Sequence, residues 1–206
     1  GEITLWAIDA ATQQIESWNK AWQNTEYYIS VNVANDSFTD DRFFKLIADR
    51  IAERGVRKGQ LKLELTERML ISDTRQMLER LDSLIALGCE LMIDDFGTGY
   101  SSLSYLHRLP VQTLKIDRSF VANLEEDVGS RAVINSIIAL AKTLKMDVIS
   151  EGVETAEQSR LLTGMGATQI QGYLLGKPTS AEQAGMILGS AAPTHAQHPN
   201  LVALAR

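Results

Sequence analysis

Six short apolar runs in this sequence each end on a carboxylate or a side-chain amide. These polar ends are Asn32, Glu64, the pair Asp94 and Asp95, Asp117, Glu151 and Gln171. A buried strand has no intrinsic use for an acid, because an unpaired carboxylate is costly to remove from water. If the strands are parallel, their carboxyl ends gather on one face, and we expect the polar ends to converge into one site.

The converging acids constrain what else such a site contains. Two carboxylates about 4 Å apart repel each other by about 4 kcal/mol at an effective dielectric constant near 20. Cations offset that repulsion, and carboxylate oxygens are the ligands that hard divalent ions prefer. The strand ends therefore predict a metal-dependent active site.

Amphipathic stretches with helical spacing separate the apolar runs. Four such stripes begin at Ile3, Phe43, Met77 and Val133. The runs between them are rich in Val, Ile and Leu without polar alternation, which is typical of strands covered on both faces. Because the polar ends lie 20 to 34 residues apart, close to one βα unit each, we expect a parallel sheet with crossover helices.

Two α/β architectures are compatible with this alternation. A doubly wound open sheet binds its ligand mainly at one switch point, to which two or three strands contribute. In a (β/α)8 barrel, residues from several strand ends contribute to the site. Six polar ends favour the barrel, and a length of 206 residues fits a single domain.

The composition argues against several classes of protein. The net charge of −6 disfavours wrapping of a nucleic-acid polymer, which requires a basic face. No run approaches the ~18 apolar residues that span a bilayer, and no signal peptide is recognisable. The lone Cys89 excludes an intrachain disulfide, and its apolar surroundings predict a small buried side chain. We expect a cytoplasmic domain without membrane contact, within a parent protein that could itself be membrane-anchored.

The sharpest local string is DDFGTGYSSLSYL, from Asp94 to Leu106. Two adjacent acids at a strand end can share metal ions, and a two-metal site stabilises both oxygens of a phosphoryl displacement. Gly97 and Gly99 permit a tight turn directly after the acids, although the same glycines could simply end a strand. A phosphate cradle is the weaker interpretation, because no third glycine at dinucleotide spacing and no Gly-Lys-Ser/Thr follows.

Several strings together give a more specific resemblance. They are SVNV at 30–33, ELTE at 64–67, DDFGTGYSSL from Asp94, LKIDRSFV at 114–121, SEGVET at 150–155 and QGYLLGKP at 171–178. Their order and spacing resemble those of EAL domains, the bacterial phosphodiesterases that hydrolyse cyclic di-GMP. We expect residues 1–189 to form an EAL-type phosphodiesterase domain that is incomplete at its N-terminus, and residues 190–206 to form an exposed or poorly ordered tail.

The resemblance implies a modified TIM (β/α)8 barrel that binds two divalent cations, Mg²⁺ or Mn²⁺. By position, Asn32, Glu64 and Asp94 correspond to the ligands of one cation. Asp94, Asp95 and Glu151 correspond to the ligands of the second, so that Asp94 bridges the two.

The resemblance also implies residues that act on the substrate. Lys115 would lie beside the attacking water and act in catalysis together with Glu151 and Asp95. Gln171 would contact water or a group around the second cation. Tyr173 and Pro178 would border a guanine base.

Three further acids would support the site by the same resemblance. Glu67 would steady the Gly-rich loop after Asp95, and Asp117 and Glu154 would hold neighbouring groups in place. Considered without the resemblance, Glu67 and Glu154 could simply be helix-start acids, which favour the positive end of the helix dipole.

One part of the family pattern is absent from this sequence. The Glu-Ala/Val-Leu motif that names the family would lie upstream of Gly1, together with a substrate-binding arginine. We therefore expect the chain to supply about six of the barrel's eight strands, and the 206 residues alone to fold poorly. Ala34 and Arg68 also replace residues that are commonly Ser in the family.

Two functions of different classes remain open at this point. The first is a metal-dependent phosphodiesterase that opens cyclic di-GMP to linear pGpG. The second is a non-catalytic receptor that binds the same nucleotide and signals through a conformational change. Receptors of this kind usually lose acids from the metal set, whereas every acid that can be checked here is present, which favours the enzyme. By family analogy we expect a homodimer that pairs through the loop and helix after Asp95.

Overall fold

A computed structural model describes residues 1–22, 26–70, 75–99, 106–190 and 203–204. The helices are α1 (Glu2–Ala21), α2 (Asp41–Arg54), α3 (Arg75–Ala86), α4 (Arg118–Ala122), α5 (Val128–Leu144), α6 (Ala156–Met165) and α7 (Ala181–Ser190). The strands are β1 (Ile29–Asn32), β2 (Leu61–Thr66), β3 (Glu90–Phe96), β4 (Thr113–Ile116), β5 (Asp147–Ser150), β6 (Gln169–Ile170) and β7 (Ala203–Leu204). Short 3-10 helices occupy Asn35–Thr39 and Glu67–Leu70. Within these described ranges, no helix is both long and apolar enough to cross a membrane.

Neighbouring strands pair in parallel. β1 pairs with β2 and with β7. β4 pairs with β3 on one side and with β5 on the other, and β5 also pairs with β6. Parallel neighbours require crossover connections, which the intervening helices supply. This arrangement confirms the predicted parallel sheet with crossover helices.

The chain divides into two compact units. The first comprises residues 1–64, 79–90 and 178–206, and the second comprises residues 65–78 and 91–177. The division falls within β2. The first unit therefore holds β1 and most of β2, and the second holds β4, β5, β6 and nearly all of β3.

In the first unit, α1 and α2 are joined around the carboxylate of Asp9. Arg50 Nε lies 2.5 Å from Oδ1 of Asp9, and Arg54 Nη2 lies 2.9 Å from the same oxygen. The hydrogen bond from Arg50 and the charges of both guanidinium groups hold the pKa of Asp9 below its usual value. Ile8 and Ile47 are fully buried on the same two helices, so apolar packing and charged hydrogen bonds act together.

Two of the helices end at glycines. Gly55 ends α2 in the left-handed conformation with φ of 61°, and Gly166 ends α6 with φ of 95°. At the other end of α2, the side chain of Asp40 accepts the backbone N–H of Arg42. These caps satisfy backbone groups that have no partner within the helix.

In the second unit, α5 packs against β4 and β5. Its buried residues include Ile134, Ile138 and Ala141, which belong to the helical stripe predicted from the sequence. They face strands that are themselves buried, with Leu114 and Ile149 at most 1% exposed. This packing fixes the strands whose carboxyl ends carry the polar residues.

Two strands extend further than their polar residues predict. β2 continues past Glu64 to Thr66, and β3 continues to Phe96. Leu65 and Phe96 are buried, and this continued burial keeps the chain in the sheet beyond the acids.

The C-terminal segment contributes one short strand. α7 continues to Ser190, and Ala203 and Leu204 pair with Ile29 and Ser30 of β1. The rest of the predicted tail lies outside the described residues, so its exposure stays a prediction. Cys89, by contrast, is placed as expected: it is 2% exposed, and burial raises its pKa to about 12.

Candidate metal centre

Three carboxylates meet at the carboxyl ends of β3 and β5. Asp94 and Asp95 lie near the end of β3, and Glu151 directly follows β5. One oxygen of each carboxylate lies within 4.8 Å of one oxygen of both others. Asp94 and Glu151 are half-buried and Asp95 is exposed. The cluster is thus sheltered on one side and open to solvent on the other.

The backbone of β3 explains how two adjacent acids reach the same side of a strand. Side chains of a regular strand alternate between its faces, so Asp94 and Asp95 would point apart. The pairing of β3 with β4 shifts between Ile93 and Phe96, which leaves one extra residue in β3. Asp95 also takes a left-handed backbone with φ of 53°. A bulge of this kind re-aims side chains, and here both carboxylates approach Glu151.

Lys115 lies between two of these acids. Its Nζ is 2.9 Å from Oδ1 of Asp94 and 2.7 Å from Oε1 of Glu151, and the side chain is 3% exposed. Lys115 reaches both because β4 is paired between β3 and β5. A buried ammonium is costly unless it is paired, and the two ion pairs offset that cost. Three formal carboxylate charges and one ammonium still leave the cluster net negative, which favours a further cation.

Asp117, which follows β4, helps to raise the pKa of Asp95. Burial raises the pKa of Asp95, and the negative charges of Asp94 and Asp117 raise it further. Asp117 itself caps α4, where its Oδ1 accepts the backbone N–H of Ser119 at 3.0 Å and also the Ser119 hydroxyl. Burial acts to raise the pKa of Asp117, but these hydrogen bonds and one shared with Asp95 lower it. The Asp95 carboxyl therefore binds a proton more strongly than an ordinary aspartate does.

The donor set fits a hard divalent cation. The three clustered ligand atoms are all carboxylate oxygens, which suit Mg²⁺ and Mn²⁺, and the cluster contains no sulfur or imidazole donor of the kind that softer metals prefer. Gln171 follows β6, and its backbone N–H donates to the Ser150 carbonyl at 2.8 Å. The side-chain Oε1 of Gln171 is buried and has no hydrogen-bond partner among the described residues. This acceptor is available to a water or an ion-bound group.

Asn32 and Glu64 are neighbours in the first unit. They are register partners of β1 and β2, and the Val33 N–H donates to the Glu64 carbonyl at 2.9 Å. Glu64 is 2% exposed and Asn32 is exposed. The sheet thus brings side by side the two residues that the resemblance assigns to the first cation.

Glu67 lies against the loop that follows the paired acids. It is 5% exposed, and neither carboxylate oxygen has a hydrogen-bond partner among the described residues. A Cβ placed on Gly99 would lie 3.1 Å from Oε1 of Glu67, so the carboxylate touches this loop. Glu67 also begins a 3-10 helix, whereas Glu154 is exposed and precedes α6. Residues 100–105, which belong to the predicted dimer surface after Asp95, lie outside the described residues.

Tyr173 lies beyond β6 and is 58% exposed. Lys177 Nζ is 5.8 Å from the centre of that ring. The Leu174 N–H donates to the Val153 carbonyl at 3.0 Å, which anchors the segment that carries the ring. Pro178 is exposed and belongs to the first unit. The predicted contact of Tyr173 and Pro178 with guanine stays a prediction.

Two glycines that the sequence analysis did not single out lie next to Glu151 and Gln171 in the chain. Gly152 follows Glu151 directly, and Gly172 follows Gln171. Their position could have identified them from the sequence, because a glycine at a strand end often marks a place where another backbone approaches closely.

Comparison with known proteins identifies relatives over most of the chain. The family model described as EAL domain matches residues 1–178. The bifunctional diguanylate cyclase/cyclic di-GMP phosphodiesterase MucR of Pseudomonas aeruginosa is 38% identical over 182 residues, which cover 88% of this chain and 26% of MucR. The signaling protein YkoW of Bacillus subtilis is 35% identical over 182 residues, covering 88% of this chain and 22% of YkoW. The chain thus spans about a quarter of the length of these relatives.

Solved structures are similar to this chain over most of its length. The PaMucR phosphodiesterase in complex with c-di-GMP has a TM-score of 0.83 and 38% identity, and covers 89% of this chain and 74% of that chain. The EAL domain of Mycobacterium smegmatis DcpA has a TM-score of 0.85 and 34% identity, and covers 92% of this chain and 84% of that chain. This likeness confirms the predicted α/β fold class, the modified TIM (β/α)8 barrel of which this chain supplies about six strands.

Proposed function

This chain belongs to the EAL domain family, and we propose that it hydrolyses cyclic di-GMP to linear pGpG with two divalent cations, Mg²⁺ or Mn²⁺. The observation that carries the proposal is the buried Lys115 ammonium, which contacts Asp94 and Glu151 within a cluster of three carboxylates. This substrate is supported by two relatives: MucR is a bifunctional diguanylate cyclase/cyclic di-GMP phosphodiesterase, and the PaMucR phosphodiesterase structure is a complex with c-di-GMP.

The acids would hold the cations. Asp94, Asp95 and Glu151 form one oxygen-donor group, and the resemblance to EAL domains assigns Asn32 and Glu64 to the other cation. Divalent ions bound there would polarise the phosphate and make a water molecule easier to ionise.

Lys115 would act on the charge that develops at phosphorus. Its Nζ carries a proton and a positive charge at a position that is 3% exposed to solvent. Low exposure strengthens electrostatic interactions, so a phosphate oxygen that gains charge would be stabilised more than in water. When cations occupy the carboxylates, the ammonium can turn its hydrogen bonds towards the phosphate and the incoming water.

The remaining residues would orient the substrate and the loops. The buried acceptor of Gln171 suits a water molecule, and the exposed ring of Tyr173 can stack on a nucleobase. Glu67 would steady the loop that contains Gly99. We also propose a cytoplasmic location and pairing of two copies through the loop and helix after Asp95.

The test is product analysis with the full-length protein. Purified protein is incubated with cyclic di-GMP and Mn²⁺, and nucleotides are separated by chromatography. If the protein is a phosphodiesterase, pGpG should accumulate with time, and its formation should stop when a chelator is added. Tight nucleotide binding without pGpG would instead identify a receptor and overturn the enzymatic proposal.

A further inference from the structure

Three chain segments run side by side immediately after β4, β5 and β6. The Glu151 N–H donates to the Ile116 carbonyl at 3.1 Å, and the Gln171 N–H donates to the Ser150 carbonyl at 2.8 Å. Beyond the strands, the Val153 N–H donates to the Gln171 carbonyl at 3.0 Å. The backbone that carries Glu151 is therefore fixed from both sides.

Gly152 lies where the segment after β5 meets the start of α4. Its φ is +70°, a conformation that side chains rarely adopt. A Cβ on Gly152 would lie 2.6 Å from the Cβ of Arg118 and 3.3 Å from its Cα. The backbone of Arg118 cannot move away freely, because Asp117 on one side of it caps α4 by accepting the backbone N–H of Ser119 on the other.

Gly172 lies where the segment after β6 meets the segment after β5. A Cβ on Gly172 would lie 2.7 Å from the carbonyl carbon of Val153, and closer still to the carbonyl oxygen and amide nitrogen of that residue. All three are backbone atoms, so no side-chain rotation relieves the overlap. The two segments approach this closely only because Gly172 lacks a side chain.

We propose that Gly152 and Gly172 are positioning residues for the metal centre, an inference that rests on the proposed function. Their missing side chains let the three segments approach until the Glu151 carboxylate lies 2.7 Å from Lys115 Nζ and within reach of Asp94. A methyl group at either glycine displaces the segment after β5, which contains Val153, and moves Glu151 out of the cluster. The glycines thereby set cation affinity without contacting a cation.

The test compares Gly172→Ala with Gly176→Ala in the full-length protein. Gly176 lies in the same segment, and a Cβ there would meet nothing within 4 Å, so this variant controls for the loss of a glycine as such. Mn²⁺ affinity is measured by calorimetry below the melting temperature of each variant, and metal-free crystal structures give the distance from Glu151 Oε1 to Lys115 Nζ. We expect Gly172→Ala to weaken Mn²⁺ binding by about 10-fold or more, as loss of an outer support of a metal site does. Gly176→Ala should match the wild type in both measurements.

A second pair of variants keeps the proposal testable if Gly172→Ala does not fold. Gly152→Ala should weaken Mn²⁺ binding, and adding Arg118→Gly should restore part of the affinity because it removes the atom that the new methyl group meets. Wild-type affinity in Gly152→Ala, or absence of any rescue, would overturn the role of Gly152. Equal Mn²⁺ affinity and an equal Glu151–Lys115 distance in Gly172→Ala and Gly176→Ala would overturn the role of Gly172.

These measurements are independent of turnover. If the wild type binds Mn²⁺ but produces no pGpG, the proposed function fails while the affinities still decide the role of the glycines. If the wild type binds no cation, the effect of the glycines on cation affinity is overturned, and the metal-free distance from Glu151 to Lys115 shows only whether they position Glu151.

Discussion

The ammonium group of Lys115 lies 2.7 Å from a carboxylate oxygen of Glu151, in a side chain that is 3% exposed. The same Nζ contacts Asp94 at 2.9 Å, so one lysine joins the carboxyl ends of β3 and β5 across β4. Because little water reaches this position, the two carboxylates stabilise the ammonium charge in place of solvent. In the metal-free protein, Lys115 therefore supplies positive charge that bound cations would also supply.

The first prediction concerns stability without metal. Lys115→Met keeps most of the side-chain volume but leaves Asp94 and Glu151 without their ammonium partner. Removing one partner of a buried ion pair costs about 3–5 kcal/mol, so the melting temperature should fall in EDTA and recover on adding Mg²⁺. Thermal melts with and without Mg²⁺ measure both effects, with the exposed Lys142→Met as the control. An unchanged melting temperature in EDTA would contradict the structural role of Lys115.

A second prediction concerns turnover in the acid variants. Asp94→Asn and Glu64→Gln each remove a carboxylate that we propose to be a metal ligand. Loss of outer supports of metal sites costs 10- to 100-fold, so loss of a ligand should lower kcat/KM by at least about 100-fold. Asp147→Asn is the control, because this exposed residue lies at the opposite end of β5. Rates within a few fold of wild type in both acid variants would show that neither carboxylate is a ligand.

The third prediction follows from the all-oxygen donor set. Mg²⁺ and Mn²⁺ should support hydrolysis, and chelation should abolish it. Ca²⁺ should bind the carboxylates but support little turnover, since it is larger and accepts looser geometry than Mg²⁺. Initial rates of pGpG formation with each ion in turn are the measurement. Full activity in excess EDTA would exclude the metal proposal.

The fourth prediction concerns acid stability in the first unit. Hydrogen bonds and charge from Arg50 and Arg54 lower the folded-state pKa of Asp9 below its ordinary value of 3.8. A lowered carboxyl pKa stabilises the folded state above the unfolded pKa, and this contribution is lost as the pH falls through the folded pKa. Asp9→Asn should therefore be less stable than wild type near neutral pH, with the difference shrinking below about pH 4.

Urea unfolding at a series of pH values measures the Asp9 effect. Asp49→Asn is a matched control, because Asp49 is exposed on α2 and forms no ion pair with another described residue. A stability difference between wild type and Asp9→Asn that does not change with pH would show that the carboxylate charge is not its cause.

The sequence predicted the helices and strands well where one physical signal dominated. The apolar stripe from Val133 lies within α5, and the stripe from Phe43 lies within α2. Strand ends were less certain, because burial of Leu65 and Phe96 continues β2 and β3 past their acids. Polarity marks where a site begins, whereas burial decides where a strand ends.

The composition of the candidate site was predictable, but its geometry was not. The clustered Asp94, Asp95 and Glu151 were all identified at strand ends from the sequence. The left-handed backbone of Asp95 carries no glycine signature, and the contact of Lys115 with two strands depends on sheet register. These features arise from tertiary packing, which short-range sequence patterns do not encode.

The most direct test of the central claim is a crystal structure of the full-length protein with bound Mn²⁺, located by anomalous scattering. The proposal predicts an Mn²⁺ peak bound by carboxylate oxygens of Asp94, Asp95 and Glu151, at metal–oxygen distances of about 2.0–2.3 Å. Lys115 Nζ should lie beside the ion without binding it. No anomalous peak at these three carboxylates, in crystals of protein that hydrolyses cyclic di-GMP, would contradict the account.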